Sequence, residues 1–159
     1  MIEEDGRELA SRIKEIMVRR SLTLSTAESF TSGRIAATLT TVSGSSDYFQ
    51  GGLVAYQDEL KTRFLGVDEE VIKKYDVVSQ PVVEAMVKGA CRLFSTDLAM
   101  ASTGYAGSGA NGIPDGTLWI GWGTAEEVHS LCLQEDNGRE KNTSMAVVRV
   151  LREFLSFIE

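Results

Sequence analysis

The chain has 159 residues, 43% apolar and 25% charged, which is ordinary for a globular domain long enough to bury a core. Its net charge of −7 opposes non-specific binding to nucleic acid or anionic membrane, and no apolar run approaches the roughly 20 residues of a membrane helix. The acidic start, MIEEDGRELA, is not a secretory signal, and one histidine without paired Cys/His spacing gives no expectation of zinc. Cys91 and Cys132 sit in apolar patterns and are expected as buried free thiols, which suits a reducing cytoplasm.

Residues 3–20 place Leu9, Ile13, Ile16 and Met17 at helical spacing with charges outside, predicting an amphipathic helix. Residues 22–27 read as a short, hydroxyl-rich strand, 29–33 (SFTSG) as a turn, and 34–42 as a second helix. A turn after a strand and before a helix is where open α/β sheets bind ligands, and helix N-termini favour anions. A Ser/Gly turn at 43–46 leads into a strand over 49–56 and a helix carrying Lys61. Asp68 caps a short helix ending at Tyr75, and Ser79 starts a longer one with Pro81 in its first turn and Val82, Val83, Met86, Ala90, Leu93 and Phe94 on its apolar side. Residues 97–103 form a strand, 104–116 a glycine-rich loop, and 117–122 and 127–134 two more strands joined so briefly that they must form an antiparallel hairpin. After a turn at 135–138, a last helix over 139–158 turns Met145, Val148, Leu151, Leu155 and Ile158 inward. The class is α/β, one domain, with a mixed, mostly parallel sheet of about five strands.

The stretch 43–61, SGSSDYFQGGLVAYQDELK, gathers Ser46, Tyr56 and Lys61 around an apolar strand. Lysine beside serine without histidine fits a hydrolase, because a desolvated lysine serves as a base. The ordinary alternatives stand beside this reading: Ser46 as a turn former, Lys61 as a solvated helix lysine, Tyr56 as a strand-end aromatic. Arg139 either neutralises Glu135 and Asp136 or serves a ligand, since a cation at a helix start opposes the helix dipole. His129 is read as structural or exposed, and Trp119 and Trp122 as core or interface residues. GYAGSG at 104–109 has no P-loop lysine, and GxGxxG is absent.

TAESFTSG at 26–33, VSGSSDYFQGGLVAYQDELKTRFLGV at 42–67, VVSQPVVEAM at 77–86, STGYAGSG at 102–109 and GTLWIGW at 116–122 together resemble the CinA C-terminal domain family over nearly the whole chain. The resemblance implies a three-layer α/β/α sandwich. It also implies the activity of the family's nicotinamide-nucleotide amidohydrolases: conversion of nicotinamide mononucleotide to nicotinic acid mononucleotide and ammonia, in pyridine-nucleotide recycling. Carried over by residue, it makes Ser46 the nucleophile, with Lys61 and Tyr56 activating it and Ser29 holding the substrate or oxyanion. Thr103 becomes a pocket hydroxyl and Arg139 a phosphate ligand. Thr31, Gly44, Ser45, Gly104, Ala106 and Gly107 complete the substrate-binding set, with backbone N–H groups of the 43–46 turn or Ser29 as oxyanion donors. No metal or cofactor is implied. The partner is a small-molecule nucleotide rather than nucleic acid or membrane, and a cytoplasmic homo-oligomer, dimer or higher, is expected. Longer family members carry an N-terminal domain that this chain is expected to lack. The sequence departs from the family pattern at Phe30, Ser32, Ser108 and Asp115, all in the binding loops. These departures leave a second expectation: a nucleotide-binding regulatory domain of the same fold without turnover.

Overall fold

The computed structural model describes residues 2–134 and 136–159. In chain order the elements are α1 (Ile2–Arg19), β1 (Leu24–Glu28), α2 (Arg34–Leu39), a 3-10 turn (Ser45–Asp47), β2 (Phe49–Val54), α3 (Asp58–Leu65), α4 (Glu69–Tyr75), α5 (Gln80–Phe94), β3 (Leu98–Gly104), β4 (Thr117–Gly123), β5 (Val128–Gln134) and α6 (Arg139–Ile158).

The five strands form one mixed sheet in the order β2-β1-β3-β4-β5. β1 pairs in parallel with β2 and β3, whereas β4 is antiparallel to both β3 and β5. β4 therefore runs alone against the other four strands. β1 lies between two parallel neighbours, with helices over both faces, and all five of its residues are buried. LSTAE is a strand despite its polarity: the Ser25 hydroxyl is used inside the protein, in a 2.7 Å hydrogen bond with Thr96, and Glu28 accepts buried hydrogen bonds at the strand end, while the buried Thr26 hydroxyl has no partner among the described residues.

Each face of the sheet carries its own core. On one side α1, α2 and α6 bury Ile13, Met17, Ile35, Leu39, Val150 and Phe154 against Leu24, Met100 and Ile120. On the other, α5 buries Val82, Val83, Met86, Val87 and Ala90, with Leu65 of α3 against the same cluster. At Gly89 the α5 backbone approaches α3 so closely that a Cβ would lie 2.8 Å from Leu65 C and Cα, so only glycine fits. Helix starts obey local chemistry where a side chain is available. Asp68 accepts the Glu70 amide at 2.9 Å, as expected. Ser79 precedes α5, but its hydroxyl bonds Asp76 O at 2.8 Å instead of capping the helix.

Three expectations about burial fail for local reasons. Leu93 is exposed because it sits in the last turn of α5, next to the left-handed Ser95 that ends the helix. Met145 is exposed because the buried stripe of α6 runs through Thr143, Ala146, Val147, Val150, Leu151 and Phe154. Cys132 is exposed because β5 is an edge strand with alternating burial, whereas Cys91 is buried, its thiol pushed up to about 11 by desolvation. His129 stacks on Trp122 and meets Phe157 edge-on, a packing role. Glu135, expected to face Arg139, lies outside the described residues. Among the described residues no helix is long and apolar enough to cross a membrane.

Candidate active site

The three parallel strands end at the same edge of the sheet, and the chemistry collects there. Ser29 follows β1, Tyr56 and Lys61 follow β2, and Thr103 and Gly104 close β3. They line one cavity of about 190 Å³, together with Phe30, Asp58, Val77, Val78, Tyr105, Ala106, Ser108 and Arg139. A larger groove of about 720 Å³ lies between α1, α2 and α6. There Arg34 is paired with Glu140 at 2.8 Å, and Thr38 and Thr41 bond helix carbonyls.

Lys61 is the unusual group of the smaller cavity. Its side chain is 1% exposed, and its Nζ donates to Ala55 O at 2.8 Å and Tyr56 O at 3.3 Å. Burial pulls its pKa below the ordinary lysine value, while Asp58, 3.8 Å away on the same helix, pushes back. A neutral amine has two N–H groups and one lone pair. The two carbonyls can take both N–H groups, which leaves the lone pair free to accept a proton.

Ser29 is 8% exposed, and its amide is pinned to β3, donating to Ser102 O and to Ser102 Oγ, each at 3.1 Å. Its own hydroxyl makes no hydrogen bond among the described residues. The backbone N–H groups of Phe30 and Thr31, next in the turn, are likewise without an internal partner among the described residues. The chain turns sharply here: Ser32 adopts φ 50 and Gly33 φ 90. Ser32 thus occupies a left-handed conformation in which a side chain is strained. Phe30 packs against Gly104, where a Cβ would come within 2.9 Å of its ring, and it forms a wall of the cavity beside Ser29.

The opposite wall is the loop after β3. Thr103 Oγ1 donates to Val77 O at 2.9 Å. The amides of Ala106, Gly107 and Ser108 carry no hydrogen bond among the described residues. Arg139 opens α6 and lies over Gly107, where a Cβ would be 2.9 Å from its guanidinium. Among the described residues Arg139 pairs with no carboxylate, Asp136 included. Asp115 ties the loop internally, accepting the Gly109 amide at 2.7 Å, and does not line the cavity.

Several expected site residues are not brought here. Gly44, Ser45 and Ser46 precede β2, so they lie at the N-terminal ends of the parallel strands. The six residues of β2, at about 3.3 Å each, put more than about 15 Å between Ser46 and Tyr56. Ser46 is therefore not a partner of Lys61, and the 43–46 turn offers no oxyanion donors to the cavity. That turn is instead a link between α2 and β2, held by Lys14 Nζ donating to Ser43 O at 2.6 Å. Thr31 is fully buried, with its hydroxyl used on Glu28 and Ser102 at 2.7 Å each, so it supports the turn and does not face the cavity. Tyr56 is 54% exposed and stands at the mouth. Sequence reasoning passed over Asp58, Tyr105 and Glu28. For Asp58 the signal was available: it is one helical turn before Lys61.

The family model for the CinA C-terminal domain matches residues 6–158. A nicotinamide-nucleotide amidohydrolase PncC of Pseudomonas putida is 41% identical over 145 residues, 90% of this chain and 91% of its own length. A CinA-like protein of Cytophaga hutchinsonii is 35% identical over 98% of this chain, but the chain spans only 38% of that relative's length. Among solved structures, a competence/damage-inducible protein CihA of Agrobacterium tumefaciens superposes with a TM-score of 0.92 at 31% identity, covering 98% of this chain and 96% of that one. A CinA superfamily protein of Enterobacter cloacae gives 0.94 at 26% identity, covering 97% and 92%.

Proposed function

The chain belongs to the CinA C-terminal domain family, and from that premise we propose that it is an amidohydrolase acting on the carboxamide of nicotinamide mononucleotide, with Ser29 as the nucleophile. The observation that carries this reading is the pairing, in one small cavity, of an internally unbonded serine hydroxyl with a buried lysine of lowered pKa. The 41% identical amidohydrolase, matched over nearly its full length, supplies the substrate class.

Ser29 Oγ attacks the carboxamide carbon, and its proton passes to Lys61 Nζ, directly or through the Tyr56 hydroxyl. The carbonyl oxygen becomes an oxyanion, for which the free N–H group of Phe30, in the cavity wall, is the available donor. Lys61 returns the proton to the leaving nitrogen as the C–N bond breaks, releasing ammonia. Water, deprotonated by the same amine, then hydrolyses the acyl-serine to the carboxylate product. At about 190 Å³ the cavity is smaller than the ~300–1,000 Å³ of a site for a drug-sized ligand, so it takes the reacting ring. The phosphate remains outside, against Arg139 and the amides of 106–108.

Ammonia release from nicotinamide mononucleotide tests the assignment. Ser29→Ala is expected to abolish it and Ser46→Ala to leave it intact; a Ser29→Ala protein with parental turnover overturns the reading. A second reading, a nucleotide-binding regulatory domain without turnover, is favoured by Phe30 narrowing the cavity beside Ser29. It predicts that the nucleotide raises the melting temperature while no ammonia forms. The proposal also takes the chain as one domain working in the cytoplasm. Exposed Val54, on the edge strand β2, offers apolar surface to a second copy.

A further inference from the structure

Glu28 is a buried carboxylate that the reaction above does not use. It is 1% exposed, and among the described residues it faces no cation within ion-pair distance. Its oxygens accept three hydrogen bonds instead. Oε1 takes the Thr31 hydroxyl at 2.7 Å and the Ile35 amide at 2.9 Å, and Oε2 takes the Ala36 amide at 3.0 Å.

The Thr31 hydroxyl has one proton, and it goes to Glu28. In the 2.7 Å contact between Thr31 Oγ1 and Ser102 Oγ, Ser102 must therefore be the donor. That leaves the Ser102 oxygen to accept the Ser29 amide at 3.1 Å. A one-way chain results: Ser29 N–H to Ser102, Ser102 to Thr31, Thr31 to Glu28, every donor pointing toward the negative charge. All four side chains are buried, where such chains are strengthened by the low dielectric. Capping of α2 accounts for the two amide bonds of Glu28, but not for the third, from the Thr31 hydroxyl, which ties the carboxylate to β3 through Ser102. The residue before α2 is Gly33, which provides no side-chain cap, and Glu28 reaches the Ile35 and Ala36 amides from the end of β1.

We propose that Glu28 is a positioning residue for the reaction. Through Thr31 and Ser102 it fixes the peptide of Ser29, and with it the aim of the Ser29 hydroxyl at Lys61; this rests on Ser29 being the nucleophile. The carboxylate touches no substrate and moves no proton to it.

Thr31→Val is the cleanest test, because it cuts Glu28 from Ser102 while sparing the bonds from Glu28 to α2. Two readouts are taken well below the melting temperature: kcat and KM for ammonia release, and the rate of covalent labelling of the reactive serine by a fluorophosphonate probe. A loosened nucleophile predicts that Thr31→Val lowers kcat and labelling together by about 10-fold to 100-fold with KM little changed. Thr31→Ser, which keeps the hydroxyl, restores both. The inference is overturned if folded Thr31→Val keeps the parental rates, or if Thr31→Ser falls as far as Thr31→Val. Ser29→Ala separates the two levels of argument. If it labels like the parent, Ser29 is not the reactive serine and both readings fall. If it loses the label while Thr31→Val keeps it, only the role of Glu28 falls.

Discussion

Gly89→Ala probes the contact that holds Lys61 in place. In a helix interior, alanine for glycine normally stabilises by about 1 kcal/mol. Here the new methyl would lie 2.8 Å from Leu65 C and Cα and nearer still to Leu65 O, all of it backbone, at the end of the helix that carries Lys61. The two helices must separate by about 1 Å to restore contact, and forced overpacking of this kind costs about 1–3 kcal/mol. Set against the propensity gain, the net expectation is a loss of up to about 2 kcal/mol, or several degrees in melting temperature for a chain of this length. The same displacement carries Lys61 away from Ser29, and about 1 Å of misplacement costs up to about 100-fold in kcat. Urea unfolding and ammonia-release kinetics on the one variant measure both effects. A Gly89→Ala protein that is more stable than the parent and fully active would refute the reasoning, because it would mean that α3 and α5 slide apart freely without moving the base.

Two further outcomes follow from the charges at the site. Activity should rise with pH at a slope of about one in log kcat/KM as Lys61 loses its proton, levelling off below the ordinary lysine value of 10.5. Asp58→Asn removes the charge that opposes this shift, so it should move the rising limb to lower pH. Stability runs the same way: the folded pKa of Lys61 lies below the unfolded one, so the unfolded chain binds more protons in the interval between them. Stability therefore increases with pH across that interval, a slope that urea titrations should find absent in Lys61→Met. Arg139→Ala should raise KM for nicotinamide mononucleotide by about 10-fold to 100-fold, the worth of a charge-assisted hydrogen bond, with little change in kcat. It should leave KM unchanged for a nicotinamide riboside that lacks the phosphate.

Much of the fold was legible because periodicity reports burial. The helices from α1 to α6 and all five strands lie within a few residues of where the apolar spacing puts them. The short 123–126 connection also announced the antiparallel β4–β5 hairpin and so a mixed sheet. Local composition was less informative about which serine matters. Two serines lie in turns of similar make-up, Ser29 after a strand and Ser46 before one. Only the first position delivers a side chain to the ends of parallel strands where ligands bind. That rule was available from the order of elements alone, yet carrying the family's serine onto the 43–46 turn places the nucleophile at Ser46. Glu28 could not be read at all: a glutamate ending a strand is normally a solvated charge, and only the tertiary arrangement places two amides and a hydroxyl around it. Ser32 was legible as a concern, and its positive φ bears that out.

The three groups at the cavity come from the ends of three different strands, and β3, the last to be made, is the one that pins Ser29. A ribosome releases Ser29 first, Lys61 later and Ser102 later still. Until β3 has docked against β1, the serine amide lacks the two Ser102 acceptors that hold it. If Ser29 is the proposed nucleophile, its aim would therefore be set only when β3 joins β1. Reactivity toward a serine-directed probe during synthesis or refolding would then time the arrival of a single strand.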